Sequence, residues 1–273
     1  MINALTLDFE DWYQVPFVNL PVRRWDSCIS AIEKPTELII QYLNKRRIKA
    51  TIFVSGYIAN RHPNLVHRLF KAGHEIESHG YWHELAYKQS PKSFEADIKR
   101  SITVIKKITG IRPYGYRSPL WSTNRFPDRS AKVLIKNGFV YDCSPFPTYS
   151  VLLGNIPEDK FIYKYKNSNL FQIPLSVFRI LNINIPVTGG FYLRLYPLPV
   201  MAYLIRILNQ KGIPALFYFH PWEVTFNYPK QKISILKKFI QYYRCGKILD
   251  RLDYLVSRFR FGSIRQAYPQ ISP

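Results

Sequence analysis

Two histidines four residues apart, His79 and His83 in Ser78-His79-Gly80-Tyr81-Trp82-His83-Glu84, have the spacing that brings two imidazoles to one metal ion. The residues before them, Gly73-His74-Glu75-Ile76-Glu77-Ser78, read as a short strand. The pair therefore stands just past a strand end, where a helical turn would face both rings the same way. A carboxylate from elsewhere would complete a three-ligand site. Gly80 follows the first histidine and Trp82 precedes the second, so both zinc-protease signatures lack their glutamate and a metalloprotease is disfavoured. His62, His67 and His74 have no acidic partner at ligand spacing. Ser55 lacks the glycine pattern of a nucleophile elbow, which argues against a serine-hydrolase triad.

The elements that must position these groups alternate. Short apolar, β-branched runs at Ala4–Phe9, Ala50–Val54, Glu75–His79, Tyr114–Arg117, Phe139–Asp142, Leu170–Val177 and Ala215–His220 are interleaved with helical periods at Pro35–Arg47, Pro63–Ala72, Pro91–Thr109, Asp128–Asn137 and Pro199–Lys211. Alternation of this kind predicts parallel strands with crossover helices, an α/β sheet or barrel. Asp8, Glu10, Ser55, His79, Arg117, Asp142 and His220 all fall at or just beyond the C-terminal end of a predicted strand. In a parallel barrel those ends share one rim, where catalytic groups collect. No repeat or low-complexity linker divides the chain, so residues 1–273 read as a single domain with its catalytic motifs within 6–223. Tyr149–Thr188 reads as strands and loops elaborating that domain. The tail, 230–265, reads as a helical extension, with one or two basic helices over Gln231–Ser257.

A hydrophobic content of 47% excludes disorder. Three cysteines, Cys28, Cys143 and Cys245, support neither a disulfide framework nor a cysteine-ligated zinc. The N-terminus meets acidic residues within one strand length and reads as no signal peptide, so a cytoplasmic protein is expected. No segment approaches the roughly 20 apolar residues that span a bilayer. The net charge of +21 suits solvated helix faces first and an anionic membrane surface next, with peripheral contact at the inner face. No zinc finger, RNA-binding aromatic signature or basic-leucine repeat accompanies it, so no specific nucleic-acid partner is expected.

In chain order the motifs resemble those of the polysaccharide deacetylases, carbohydrate esterase family four. They are Thr6-Leu7-Asp8-Phe9-Glu10-Asp11-Trp12, His79-Gly80-Tyr81-Trp82-His83, Tyr116-Arg117-Ser118-Pro119, Tyr141-Asp142-Cys143-Ser144, and Phe217-Tyr218-Phe219-His220-Pro221-Trp222-Glu223. The branch associated with bacterial exopolysaccharide gene clusters looks similar at Asp8–Gln14, Arg61–Gly80, Gly189-Gly190-Phe191-Tyr192 and Phe259-Arg260-Phe261. The resemblance implies a distorted (β/α) barrel binding one divalent ion, usually Zn²⁺, through one carboxylate and two histidines. It implies Asp8 as base, Arg117 orienting it, His220 as acid and Asp142 supporting His220, with His79 and His83 as ligands. The carboxylate ligand is open. Phe9 separates Asp8 from the next acid, and residues two apart on a strand share a face, so Glu10 pairs most easily with Asp8, while a shortened turn would present Asp11 instead. Leu120 stands where the family usually has an aromatic after its proline.

The function so implied is hydrolysis of N-acetyl groups on amino sugars of a bacterial polysaccharide or its lipid-linked precursor. The alternatives are a metal-dependent amidohydrolase acting on a small cyclic amide, and a noncatalytic glycan-binding barrel.

Overall fold

In the computed structural model, which describes residues 1–16, 18–147, 162–180 and 183–271, the central strand β1 (Ile2–Phe9) divides its side chains between two cores. Leu5, Leu7 and Phe9 pack outward against helix residues such as Ile39, Leu43, Val66 and Ile205. Ala4 packs inward with Phe53, Tyr141, Leu216 and Tyr218. The two-residue period of a strand places Thr6 and Asp8 on the inner face above Ala4. The concave interior is thus apolar at its base and polar at the C-terminal ends of the strands.

The remaining strands are β2 (Thr51–Val54), β3 (Glu75–Ser78), β4 (Gly115–Tyr116), β5 (Tyr141–Asp142), β6 (Tyr163–Lys164), β7 (Phe171–Gln172), β8 (Val177–Ile180), β9 (Ile183–Pro186), β10 (Leu216–Phe219) and β11 (Arg260–Gly262). They form a sheet in the order β10-β1-β2-β3-β4-β5-β7-β6, parallel except for the β6–β7 pair, and β8–β9 is a separate hairpin. The two ends of the sheet do not pair among the described residues, so the expected barrel is a curled, open half-barrel.

Helices α1 (Glu33–Arg46), α2 (Gly56–Arg61), α3 (Pro63–Lys71), α4 (Pro91–Thr109), α5 (Pro127–Lys136), α6 (Gly190–Leu195), α7 (Leu198–Gln210), α8 (Pro221–Val224), α9 (Ile235–Tyr242), α10 (Ile248–Val256) and α11 (Ile264–Ala267) accompany it. Their ends follow local chemistry. Ser90 caps α4 by accepting from Ser93 N–H at 3.1 Å, Pro91 occupies its first turn, and Gly110 ends it in the left-handed region.

The short helices α2 and α6 lie beyond what periodicity reveals. The expected strand Leu170–Val177 splits at Pro174, which has no N–H to give the ladder. Of Tyr149–Thr188, residues 149–161 and 181–182 lie outside the described set. The tail does contain two helices with basic flanks, α9 and α10, but it is not purely helical, because β11 then returns to pair with β1. No helix among the described residues is long and apolar enough to cross a membrane.

On the other side of β1, Asn3 ties the strand to the end of α7 and the start of β10. Its Oδ1 accepts from Ala215 N–H and from Asn209 Nδ2, both at 2.8 Å, while its Nδ2 donates to Asn209 Oδ1 at 3.1 Å. Asn3→Ala strands these buried partners and is expected to cost about 2–3 kcal/mol in urea unfolding with the far-ultraviolet dichroism retained. A cost within experimental error would contradict the role.

Candidate active site

Past β1 and β3 the chain supplies a carboxylate and two imidazoles to one spot. Glu10, His79 and His83 are buried, and their ligand-grade atoms all lie within 4.8 Å of one another. Two imidazole nitrogens and one carboxylate oxygen are a donor set that could hold a divalent ion such as zinc. Glu10 Oε2 meets His83 Nε2 directly and stands 3.9 Å from His79 Nε2, while Glu10 Oε1 accepts from the Trp222 indole N–H at 3.2 Å. Burial pushes Glu10 upward, but His83, then His220 and His79, outweigh it and hold the carboxyl at about 2. His79 Nδ1 lies 2.7 Å from the Arg117 carbonyl, so Nδ1 carries the proton and the Nε2 lone pair faces the cluster. Burial keeps that ring neutral by lowering its pKa to about 4.

The histidine pair is not carried by a helical turn as expected. Residues 79–83 form a loop in which Gly80 and His83 adopt left-handed backbones, with φ of 72° and 54°. A β-carbon at position 80 would stand 2.9 Å from Asp97 Oδ2. Asp97, on the inward face of α4, accepts from Tyr81 N–H at 2.8 Å and from Trp82 N–H at 2.9 Å. From the opposite side, the α2 amides of Gly56 and Tyr57 donate to the carbonyls of Gly80 at 2.8 Å and Tyr81 at 3.0 Å. A left-handed histidine costs roughly 1 kcal/mol, and these four bonds overcome it.

Two further pairs face this cluster. Arg117 is fully buried; its Nη1 donates to Asp8 Oδ1 at 2.6 Å and to Thr6 Oγ1 at 2.8 Å, and its guanidinium lies 4.2 Å from the Phe53 ring centre. The other Asp8 oxygen stands 4.0 Å from His220 Nε2. His220 Nδ1 bonds Glu223 Oε2 at 2.8 Å, and Glu223 Oε1 accepts from Arg194 Nε at 2.7 Å. Burial alone would lower the His220 pKa. The Glu223 charge and hydrogen bond, aided by Glu10 and Asp8, overcome it and raise the ring to about 9. Gly190 makes room for this arrangement, because a β-carbon there would fall 2.3 Å from Glu223 Oε2. The polar groups floor a cavity of about 350 Å³ whose walls include Leu120, Trp121, Phe146, Tyr218 and Trp222.

Residues 24–141 match the family model described as polysaccharide deacetylase, and residues 143–269 match one described only as a domain of unknown function. Residues 24–141, somewhat less than half of the chain, are thus similar to the polysaccharide deacetylases. A peptidoglycan deacetylase of Helicobacter pylori is 31% identical over 121 residues, which are 43% of this chain and 40% of that protein. A peptidoglycan deacetylase-like protein of Gibberella zeae is 32% identical over 184 residues, covering 66% of this chain and 52% of that protein. The chain thus spans about half, or less, of the length of these relatives. Among solved structures, a protein assigned as a polysaccharide deacetylase from Mycobacterium smegmatis superposes with a TM-score of 0.62 at 17% identity, over 98% of this chain and 90% of that one. At that identity the likeness speaks for the fold.

Within this fold two sequence expectations change. Asp11, the rival to Glu10, is turned away: it accepts from Trp12 N–H at 2.8 Å, Ser30 Oγ at 2.6 Å and Ala31 N–H at 3.2 Å, pinning the loop before α1. Asp142 does not support His220. It accepts from Ser144 N–H at 2.9 Å and from the Ser144 hydroxyl, which in turn accepts from Ser118 N–H at 2.8 Å, so it joins two rim loops. The residues that sequence reasoning left without a role are Glu223, Arg194 and Asp97. Glu223 stands three residues after His220, the capping-box spacing, and a reciprocal cap is what forms. Asp97 is a charge on the same helix face as buried Phe94, Ile98, Ser101 and Ile105.

The His220–Glu223 pair carries a charge prediction. Removing the Glu223 charge removes the leading contribution that raises His220. In chelator-treated protein the wild-type ring should titrate at about pH 9 by NMR, and Glu223→Gln should titrate at least about one pH unit lower. Identical titrations would exclude Glu223 as the group that holds the proton.

Proposed function

We propose that the protein is a metal-dependent polysaccharide N-deacetylase that hydrolyses the acetamide of an amino sugar within a bacterial glycan. The observation that carries this reading is the meeting, in one cavity, of a buried carboxylate oriented by arginine, an imidazole held protonated, and the Glu10–His79–His83 donor set.

A divalent ion such as Zn²⁺ at Glu10, His79 and His83 would polarise the acetamide carbonyl and acidify a water molecule. Arg117 holds Asp8 Oδ1, which orients the carboxylate and leaves its second oxygen on the cavity side to take the proton of the attacking water. Water adds to the carbonyl carbon, and the C–N bond then breaks. His220 gives its proton to the departing nitrogen, so acetate and a free amino sugar leave. Glu223 keeps that proton available at neutral pH, with Arg194 neutralising the carboxylate behind it. The apolar walls exclude water and strengthen each of these interactions. Trp121, Tyr218 and Trp222 present aromatic surface that suits a sugar ring. The names of the relatives, which concern peptidoglycan, support an N-acetylated glycan as the substrate class.

Acetate release from N-acetylated glucosamine oligomers tests the reading. Asp8→Asn should lower the rate by about 1000-fold, whereas Asp142→Asn, which keeps the acceptor for Ser144, should stay within about tenfold of wild type. Equal losses in the two variants, or no acetate from any N-acetylated glycan, would overturn it.

A further inference from the structure

Outside the cavity, α9 is oriented against the rule for a surface helix. Ile235 is 87% exposed, Leu236 69% and Phe239 44%, while the buried residue of the helix is the polar Gln241. Phe226, in the preceding loop, is also exposed, and Lys230 Nζ lies 5.5 Å from its ring centre. Between Glu223 and Asp250 the chain has no acidic residue, yet it carries Lys230, Lys232, Lys237, Lys238, Arg244 and Lys247. Apolar side chains projecting to solvent among several lysines are the composition of a helix that lies in a membrane interface. A second copy of the same face would meet like charge, and a soluble polyanion would leave the aliphatic side chains in water. An anionic bilayer satisfies both halves of the surface at once.

The position of α9 gives this surface a consequence. Ile240 and Gln241, on the inward side of the helix, line the catalytic cavity, and Phe239 packs edge-on against Phe191 of the same wall at 5.8 Å. Arg194, which holds Glu223, also donates to the carbonyls of Ile240 at 2.8 Å and of Tyr243, so the helix end and the His220 support share one guanidinium. A bilayer bound at the outer face of α9 would therefore lie beside the cavity mouth.

We propose that α9 and its lysine flanks are a docking face for an anionic lipid bilayer, which holds the cavity mouth at the membrane surface so that the acetylated sugar is met on a lipid-carried glycan. The carrier half of this inference rests on the deacetylase reading; the docking half does not.

Co-sedimentation of the full chain with vesicles of about 30% phosphatidylglycerol in phosphatidylcholine, against pure phosphatidylcholine, tests it at low and high salt. Wild type should bind the anionic vesicles at least about tenfold more tightly than the neutral ones, and high salt should weaken binding. The double variant Ile235→Ser/Leu236→Ser should lose about tenfold in vesicle affinity while releasing acetate from a soluble oligomer at the wild-type rate, which also shows that it is folded. A variant with Lys230, Lys232, Lys237 and Lys238 all changed to Gln should lose preference for the anionic vesicles. Indifference of wild type to anionic vesicles, equal binding by all three proteins, or a wild-type dimer that the serine variant abolishes would overturn the docking face. Vesicle binding is read without turnover, so binding without acetate release sinks only the deacetylase reading, and acetate release without binding sinks only the docking.

Discussion

Arg117 is the residue on which both halves of the site depend. Its side chain holds Asp8 and Thr6 of β1, and its carbonyl fixes the His79 tautomer, while its own amide bonds the carbonyl of Ser78 at 3.0 Å. A guanidinium without solvent exposure is tolerated only when it is paired, and Asp8 is that pair. Asp8 and His79 are therefore positioned by a single residue at the end of a two-residue strand. That strand needs no length of its own, because its register is set by β3 on one side and β5 on the other.

The same physics recurs on the far side of the cavity. Glu223 is buried between Arg194 and His220, so two of its neighbours compete to neutralise it. The imidazole gains a proton in the process, at a place where burial alone would have stripped it. Glu10, Asp8 and Glu223 would repel one another in this apolar cavity; the basic groups interleaved among them turn that repulsion into a defined geometry. His220 stacks on Trp222 with ring centres 4.7 Å apart, and Trp222 also donates to Glu10, which couples His220 to the Glu10–His79–His83 donor set through one indole.

Much of this was legible in the sequence, and the misses have physical causes. The apolar run of β1, the two-residue period that puts Asp8 on the inner face, and the strand-end positions of His79, Arg117 and His220 are local patterns, and the fold follows them. The short helices α2 and α6 are too brief to show a period. Glu10 and Asp11 are adjacent, and only loop chemistry separates them: Asp11 and Gln14 have capping-box spacing, and the cap that forms turns Asp11 outward from the cavity. Asp142 followed two residues later by Ser144 is an Asx-turn pattern, and that local bond wins over a contact with distant His220. Asp97 acts through the backbone of a loop in another element, and nothing near it in sequence reports that partnership.

The most direct test of the account is the metal content of purified protein by elemental mass spectrometry, comparing Glu10→Gln with Asp11→Asn. The account predicts about one equivalent of divalent metal in wild type and in Asp11→Asn, and its loss in Glu10→Gln. Metal retained by Glu10→Gln and lost by Asp11→Asn, or a folded wild type that cannot be loaded at all, would contradict the site described for this fold.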